Sequence, residues 1–322
     1  MPNYKQKWRI IELMTTTKTI SQIVEEWLDS ADIAEISKES YKRKILLWFR
    51  YLSSINYDVR RPSHQQVLDY KRHLERSGKS SLTIDSYVTA VRLFYRYCIK
   101  QGYYNEDIAQ GVRCSTKIKG YRKSPLSREE AMRLLNSIDI ERLSGKRDKL
   151  MIAMMLLLGF RTCEIERMNV CDIDDLYDTR VIKVQRKGRH DKSEAVALTP
   201  YIDSLLSDYM SEREVKELNE PLFIAVKGER TRLKRTTISE IVHDRLRAIG
   251  IVDPRITAHS LRHTCACLLL AEGVEMETVR DVLGHTSTNT TRLYVAQMQS
   301  QLLITHSPAK RVEQALNLGK QS

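Results

Sequence analysis

Apolar side chains recur at helical spacing along the N-terminal third of the chain. In the stretch after residue 19 they occupy positions i, i+3, i+4, i+7 and i+8, which is the pattern of one buried helix face. The side chains of that face are Ile20, Ile23, Val24, Trp27 and Leu28. The same spacing predicts further helices over residues 38–53, from the N-cap candidate Ser63 to Gly78, and over residues 81–101. Four such helices predict a compact, all-helical domain.

A basic segment separates this domain from the rest of the chain. Residues 116–124 read TKIKGYRKS, with four cationic side chains, one glycine and no acidic residue. Either a solvated tether or a strap lying on phosphate groups explains that charge. Ser127 and Glu130 then form the sequence signature of a capping box, which begins a new helix and a second domain. The predicted organisation is an N-terminal extension at 1–15, a helical domain at 16–110, a basic linker at 111–125, a second domain at 126–306 and a C-terminal helix at 307–322.

The second domain combines helices with a small sheet. The longest apolar run, residues 150–159, predicts a buried helix. Strand patterns at 180–184 and 195–198 flank a hairpin tip at 187–192. The fold class predicted for the whole chain is therefore mainly α with a small β-sheet (α+β). Further helices of this domain are predicted at 202–215, 237–248, 260–272 and 276–283.

The charge balance narrows the class of partner. Among 322 residues, 53 are Lys or Arg and 41 are Asp or Glu, which gives a formal net charge of +12. A cationic excess favours a polyanion, of which nucleic acid is the commonest. The longest apolar run is about half a bilayer span, so no membrane segment is predicted. The N-terminus has no apolar signal core, which predicts a cytoplasmic protein. The six cysteines form no CxxC pair, which favours buried, reduced thiols over disulfides or a zinc site.

Two pairs of side chains in the second domain stand at helical spacing. His259 and Arg262 are three residues apart and share one helix face. Arg161 follows the apolar run, and Glu164 lies three residues further on. A structural ion pair explains Arg161 and Glu164, and so does an arginine that faces a ligand. Neither pair alone identifies a function.

The order of the motifs is more specific than any single one. The chain contains, in sequence, LLLGFRTCEIERM, VQRKGRHDK, HSLRHT and LGHTSTNTTRLY. These phrases resemble the catalytic domain of the tyrosine recombinase (phage integrase) family, and the whole chain is similar to its Xer-like and integrase-like site-specific recombinases. The resemblance implies a helical core-binding (SAM-like) domain at 16–110, followed by the catalytic domain. It also implies a catalytic set of Arg161, Lys187, His259, Arg262, His285 and Tyr294.

The hairpin lysine is the open assignment in this set. The phrase QRKG departs from the GKG usual in the family, with Arg186 before Lys187, and the sequence does not fix the register of the hairpin. Lys192 is the alternative. Glu164 and His263 are expected to support the site, the first as an ion-pair partner and the second by packing or hydrogen bonding behind it.

The resemblance implies covalent DNA chemistry. Planar guanidinium groups suit the nonbridging oxygens of a phosphodiester, a role for Arg161 and Arg262. The roles carried over from the family are Tyr294 as the nucleophile, Lys187 as the acid for the departing 5′ oxygen, His259 for the tyrosine proton and His285 as a hydrogen-bond donor to the phosphate.

The implied reaction is site-specific recombination through a 3′-phosphotyrosine intermediate and a Holliday junction, with no metal, ATP or other cofactor. The implied partners are double-stranded DNA with paired inverted-repeat half-sites and further copies of the chain, a homotetramer on two DNA sites that is a monomer in free solution. The C-terminal helix then packs either on its own domain or on a neighbouring protomer. Integration or excision, transposition, inversion and dimer resolution all fit the sequence. A type IB topoisomerase-like relaxing enzyme and a non-catalytic DNA-binding protein are the alternatives.

Cationic side chains outside the catalytic set are candidates for contacts with DNA. Each is equally explained as a solvated surface cation. They are Lys38, Lys42, Arg43, Lys71, Arg72 and Arg76 in the helical domain, and Lys117, Lys119, Arg122 and Lys123 in the linker.

Overall fold

The chain divides between Lys119 and Gly120 into two compact units. The structure, a computed structural model, describes residues 18–112, 123–226 and 228–284. Each unit encloses a hydrophobic core of its own.

The N-terminal unit is built from helices that begin at capping residues. Thr19 opens the first helix in a capping box with Gln22, and Ser63 opens the third in a capping box with Gln66. These side chains satisfy N–H groups that have no partner inside the helix. The four helices agree with the predicted positions to within about three residues, the usual uncertainty of helix ends. They are α1 (Ile20–Ser30), α2 (Glu35–Ser54), α3 (His64–Arg76) and α4 (Ser81–Lys100).

Aromatic side chains fill the core of the N-terminal unit. Trp48 is fully buried, and its indole N–H donates to the Tyr95 hydroxyl at 3.3 Å. The ring centroids of Trp48 and Tyr70 lie 5.1 Å apart, and those of Trp27 and Phe94 lie 5.5 Å apart. Such edge-to-face pairs add to the free energy gained by burying the rings. The predicted apolar face of α1 therefore packs into an aromatic core.

The second unit surrounds a small sheet with helices, as the α+β prediction requires. A short 3-10 turn, Val170–Asp172, precedes the first strand. In chain order its elements are α5 (Arg128–Asn136), α6 (Leu143–Leu157), α7 (Thr162–Arg167), β1 (Ile173–Leu176), β2 (Thr179–Val184), β3 (Glu194–Ala197), α8 (Pro200–Glu212), α9 (Arg235–Ala248), α10 (Ala258–Ala271) and α11 (Met276–Val282).

The sheet is antiparallel, with β2 between β1 and β3. Ile182 of β2 lies opposite Ile173 and Val196 on its two neighbours. Strand β1 is absent from the predicted elements because it reads IDDL and lacks an apolar alternation. Its turn also lacks the glycine that marks a two-residue hairpin. Tyr177 and Asp178 adopt positive φ of 51° and 58° instead, which is the twist that such hairpins need.

Helix α6 is the centre of the second unit. Every side chain from Leu150 to Leu156 is at most 2% exposed, and the helix packs against α8 and α10. The C-terminal half of the helix is covered on several sides, which is why its sequence shows an apolar run without helical alternation. The predicted buried helix is confirmed. Within the described ranges, no helix is long and apolar enough to cross a membrane.

The cysteines with described surroundings are free thiols, but not all of them are buried. Burial raises the pKa of Cys98 and Cys265 to about 12. The prediction of a buried thiol is wrong for Cys171, which lies at the surface in the 3-10 turn and donates to the Asn219 side-chain oxygen at 3.3 Å. Cys114 lies outside the described residues.

Replacing Asp148 of α6 by alanine is expected to destabilise the second unit strongly. Its carboxylate is buried and accepts hydrogen bonds from Arg147 at 2.7 Å and Arg245 at 2.6 Å. Removing one member of a buried ion pair costs about 3–5 kcal/mol, because the remaining charge loses its partner. Glu272→Ala is the control, since its ion pair with Arg128 is exposed and worth about 1 kcal/mol or less. Urea unfolding of both variants measures the difference, and equal losses would contradict this account.

Candidate active site

A sharp turn after α6 places Arg161. Gly159 reverses the chain with φ of +66°. This positive φ favours glycine, and a Cβ atom there would also lie 2.4 Å from the end of the Leu283 side chain. Arg161 follows as the N-cap residue of α7, with its backbone still extended.

Glu164 fixes the orientation of Arg161. One carboxylate oxygen accepts from the Arg161 guanidinium at 2.7 Å, and the other accepts from the Arg161 backbone N–H at 2.9 Å. The Glu164 side chain is fully buried, whereas the Arg161 side chain is 18% exposed. The ion pair suggested by the sequence therefore forms, and the arginine still reaches the surface of a cleft.

Arg262 is anchored between two loops. It stands on α10, is fully buried, and donates to the backbone carbonyls of Gly159 at 2.6 Å and Leu283 at 2.5 Å. These bonds connect α10 to the turn before Arg161 and to the end of α11. A guanidinium held this way keeps a fixed direction in the free protein.

His259 lies one helical turn before Arg262, exposed at the cleft wall. The surrounding protein lowers the pKa of the His259 imidazole below its ordinary value, and the charges of Arg262 and Arg161 lower it further, with smaller contributions from Lys123 and Lys187. Burial and nearby cations both disfavour the charged imidazole. The lowered pKa favours the neutral imidazole at pH 7.

Lys187 is exposed at the hairpin tip between β2 and β3 and borders the same cleft. The neighbouring lysines are each engaged with a carboxylate. Lys183 contacts Asp174 at 2.7 Å, and Lys192 contacts Asp172. Of these three lysines, Lys187 is the one that lines the cleft.

The cleft has a volume of about 820 Å³ and brings four of the expected residues together, namely Arg161, Lys187, His259 and Arg262. Helix α9 contributes a polar wall that is absent from the predicted site. Six side chains of α9 line the cleft, among them the carboxylates of Glu240 and Asp244. Four of the six are spaced four residues apart, which places them on one face of α9. This spacing of polar side chains, with an arginine at each end, is the sequence pattern from which this face of α9 could have been predicted. They are Arg235, Ser239, His243 and Arg247.

His263 lies fully buried on α10 behind the cleft. Burial, with a smaller contribution from His259, lowers the pKa of His263 to about 4, and a hydrogen bond with the Lys123 backbone partly opposes this. Lys123, expected to contact DNA, also donates to the Pro254 carbonyl at 3.4 Å.

Most of the cations expected to contact DNA in the N-terminal unit are paired with acidic residues. Arg43 and Arg76 are exposed. The other four form ion pairs, which favours the interpretation of solvated surface cations for them. These pairs are Lys38–Glu35, Lys42–Glu25, Lys71–Glu75 and Arg72–Asp69.

Several expected residues lie outside the described ranges. They are His285, Tyr294, Lys117, Lys119, Arg122, the N-terminal extension 1–15 and the C-terminal segment 307–322.

Comparison with known families identifies the chain. Residues 125–301, more than half of the sequence, match the sequence profile of the phage integrase family. The chain belongs to the phage integrase family. Residues 25–102 match the SAM-like N-terminal domain of phage integrases, which confirms the predicted SAM-like domain and the family as a whole.

Relatives of this phage integrase family member are tyrosine recombinases, which confirms the predicted class of enzyme. The chain is 28% identical over 228 residues to tyrosine recombinase XerC of Chlamydia caviae, covering 70% of each protein. It is 29% identical over 224 residues to XerC of Thermodesulfovibrio yellowstonii, covering 67% of this chain and 72% of the relative. It is 25% identical over 283 residues to XerD of Staphylococcus saprophyticus, covering 87% of this chain and 92% of the relative.

Solved structures share the fold. The XerH recombinase bound to a palindromic difH substrate in a post-cleavage complex superposes with a TM-score of 0.71 at 22% identity, covering 96% of this chain and 90% of XerH. A lambda integrase dimer bound to a COC′ core site gives a TM-score of 0.67 at 17% identity, covering 85% and 97%. At these identities the likeness shows the fold alone.

Acidification is expected to destabilise the second unit through His263. In the unfolded chain this imidazole binds a proton near pH 6.5, whereas the folded protein resists protonation down to about pH 4. The contribution of the neutral, buried ring is therefore complete above pH 6.5 and is lost as the pH falls from 6.5 to 4.

The measurement is the free energy of urea unfolding at pH 7.5 and pH 5. His263→Gln should have a smaller difference between the two pH values than the unsubstituted protein. His190→Gln, at an exposed position of the hairpin tip, should keep the full difference. An unchanged pH dependence in His263→Gln would contradict the assignment.

Proposed function

We propose that this tyrosine recombinase cuts and rejoins DNA at specific sites through a covalent 3′-phosphotyrosine on Tyr294. The observation that supports this most is the convergence of Arg161, Lys187, His259 and Arg262 on one cleft, in a chain whose family performs this chemistry. Residues 16–110 would act as a DNA-binding domain and 126–306 as the catalytic domain, joined by the basic linker.

The arginines would hold the reacting phosphate. A phosphodiester is an anion that repels nucleophiles, and planar guanidinium groups match its nonbridging oxygens. Arg161 and Arg262 are oriented in advance by Glu164 and by the Gly159 and Leu283 carbonyls. They therefore need little rearrangement when charge builds up on the phosphate.

The protons balance in both directions of the reaction. The Tyr294 oxygen forms a bond to phosphorus while the bond from phosphorus to the 5′ oxygen breaks. Neutral His259 takes the phenol proton, and Lys187 gives a proton to the 5′ oxygen. His285 would donate a hydrogen bond to the phosphate. Ligation reverses these steps, so the phosphotyrosine conserves the bond energy and no ATP is needed.

We propose that no metal ion takes part, because the two arginines supply the positive charge that divalent ions supply in many nucleases. Arrival of the DNA phosphate would raise the lowered pKa of His259, since an anion nearby favours the charged imidazole. The base would then become stronger when the substrate is bound.

The duplex would extend beyond the reacting phosphate along α9. The stripe formed by Arg235, Ser239, His243 and Arg247 lines the same cleft, and such side chains contact phosphates and base edges. Lys123 would add a further phosphate contact at the start of the catalytic domain.

The proposed assembly is a homotetramer on two DNA sites with inverted-repeat half-sites. Strand exchange within it would form a Holliday junction as an intermediate. A related fold supports it, since lambda integrase is known as a tetramer bound to a Holliday junction, with a TM-score of 0.67 at 15% identity. The segment 307–322 would pack on a neighbouring protomer. We place the reaction in the cytoplasm.

Covalent capture tests the function without a known target. The full chain is incubated in EDTA with a library of random-sequence duplexes that carry a nick, so that cleavage releases a short fragment and traps the protein. We expect denaturant-resistant adducts that converge on one sequence with inverted-repeat arms.

Tyr294→Phe is expected to form no adduct while retaining binding to the recovered duplex, because only the phenol oxygen is lost. Gel retardation measures the binding. Adducts of the Phe variant, or the absence of adducts from the unsubstituted protein, would refute the assignment.

Lys187 is tested by changing the leaving group. On the recovered duplex, Lys187→Ala is expected to slow cleavage by roughly 10²–10⁴-fold, the usual contribution of an acid. A duplex with sulfur in place of the scissile 5′ oxygen should be cleaved at nearly the unsubstituted rate, because a thiolate leaves without a proton (thiol pKa about 8.5).

Lys192→Ala and Lys183→Ala are the matched controls, since their ammonium groups pair with carboxylates. Neither variant should show slow cleavage of the oxygen duplex that returns to the unsubstituted rate on the sulfur duplex. Repair of Lys192→Ala instead of Lys187→Ala would move the acid to Lys192.

A further inference from the structure

Arg186 is buried although it precedes the exposed tip residue Lys187. Its side chain is 3% exposed, and it belongs to the phrase QRKG, which departs from the GKG usual in the family. A charged side chain is buried only where partners compensate the loss of water. Its contacts therefore indicate what it holds in place.

The first contact closes the neck of the hairpin. The Arg186 guanidinium donates from Nε at 2.9 Å and from Nη2 at 2.5 Å to one carboxylate oxygen of Glu194, the first residue of β3. Strand β2 ends at Val184, so this pair joins the two sides of the loop 185–193. Within that loop, the side-chain amide of Gln185 donates to the Arg189 backbone carbonyl, and the Arg189 backbone N–H donates to the Arg186 carbonyl.

The second contact reaches the segment that carries Arg161. Nη1 of Arg186 lies 3.4 Å from Glu164, whose carboxylate also accepts from Arg161. The same guanidinium lies 5.6 Å from the ring centre of Phe160, the residue before Arg161. One side chain thus contacts both neighbours of Arg161 in the site.

The third contact reaches the end of α11. Nη2 of Arg186 donates to the Val282 carbonyl at 3.0 Å. A Cβ atom at Gly284 would lie 2.6 Å from Arg186 Nε, so the guanidinium packs directly against the backbone there. Arg186 therefore touches the hairpin neck, the start of α7 and the loop after α11 at once.

We propose that Arg186 is a positioning residue that fixes the place of Lys187 relative to Arg161. This inference rests on the proposed function, in which Lys187 protonates the leaving oxygen. A guanidinium can pair with Glu194 and Glu164 together because its donors point in different directions, whereas an ammonium group is a single point of charge. Without the Arg186 guanidinium the hairpin tip would be free to move. A displacement of a reacting group such as Lys187 by about 1 Å can reduce the rate of reaction by about 100-fold.

Leaving-group substitution separates positioning from a general effect on stability. Arg186→Lys is assayed under single-turnover conditions on the duplex recovered by covalent capture, with oxygen or sulfur at the scissile position. We expect cleavage of the oxygen duplex to slow by roughly 10- to 100-fold and cleavage of the sulfur duplex to slow by less than about threefold, because sulfur needs no acid.

Arg213→Lys is the matched control. Arg213 is also a buried arginine that pairs with a carboxylate, Glu220, and a carbonyl, that of Pro221, but it does not line the cleft. Its variant should melt at a lower temperature and keep the unsubstituted ratio of the two rates. Glu194→Ala, which removes the partner at the hairpin neck, should shift the ratio in the same direction as Arg186→Lys and decides the matter if Arg186→Lys does not fold.

Equal slowing on both duplexes, or none on either, would overturn the positioning role while leaving the proposed function intact. Failure of the unsubstituted protein to cleave either duplex would instead contradict the proposed function.

Discussion

The second unit holds several positively charged side chains close together. Like charges repel most strongly where water is excluded, so each guanidinium needs a compensating group. Glu164 compensates Arg161 and Arg186 with one buried carboxylate. Arg262 is compensated by carbonyl oxygens, including that of Gly159. The tight turn at Gly159 follows from this requirement, because the carbonyl must reach α10 while the next residues return to Glu164.

The helices could be predicted from the sequence because their apolar spacing is local. Trp27 and Leu28 continue the face begun by Ile20, and the core of the N-terminal unit confirms that face. Helix α6 shows a run without alternation because it is covered on several sides. Strand β1 could not be predicted, since its pairing with β2 depends on a turn whose positive φ falls on Tyr177 and Asp178 instead of on a glycine.

The residues of the candidate site that lie within the ordered motifs could be predicted from the sequence. The structure brings Arg161, Lys187, His259 and Arg262 to one cleft, whereas the sequence left Lys187 and Lys192 as alternatives. The contact between Lys192 and Asp172 joins residues that are far apart in sequence, so no local pattern reveals it. The buried position of Arg186 is equally invisible in the phrase QRKG.

We propose that this set of cations serves transfer of a DNA strand to one tyrosine. Tandem mass spectrometry of the trapped protein–DNA adduct, after nuclease and protease digestion, tests it most directly. We expect a single modified peptide in which Tyr294 carries a nucleotide through its 3′-phosphate. A nucleotide on another side chain, or one attached through its 5′-phosphate, would contradict it.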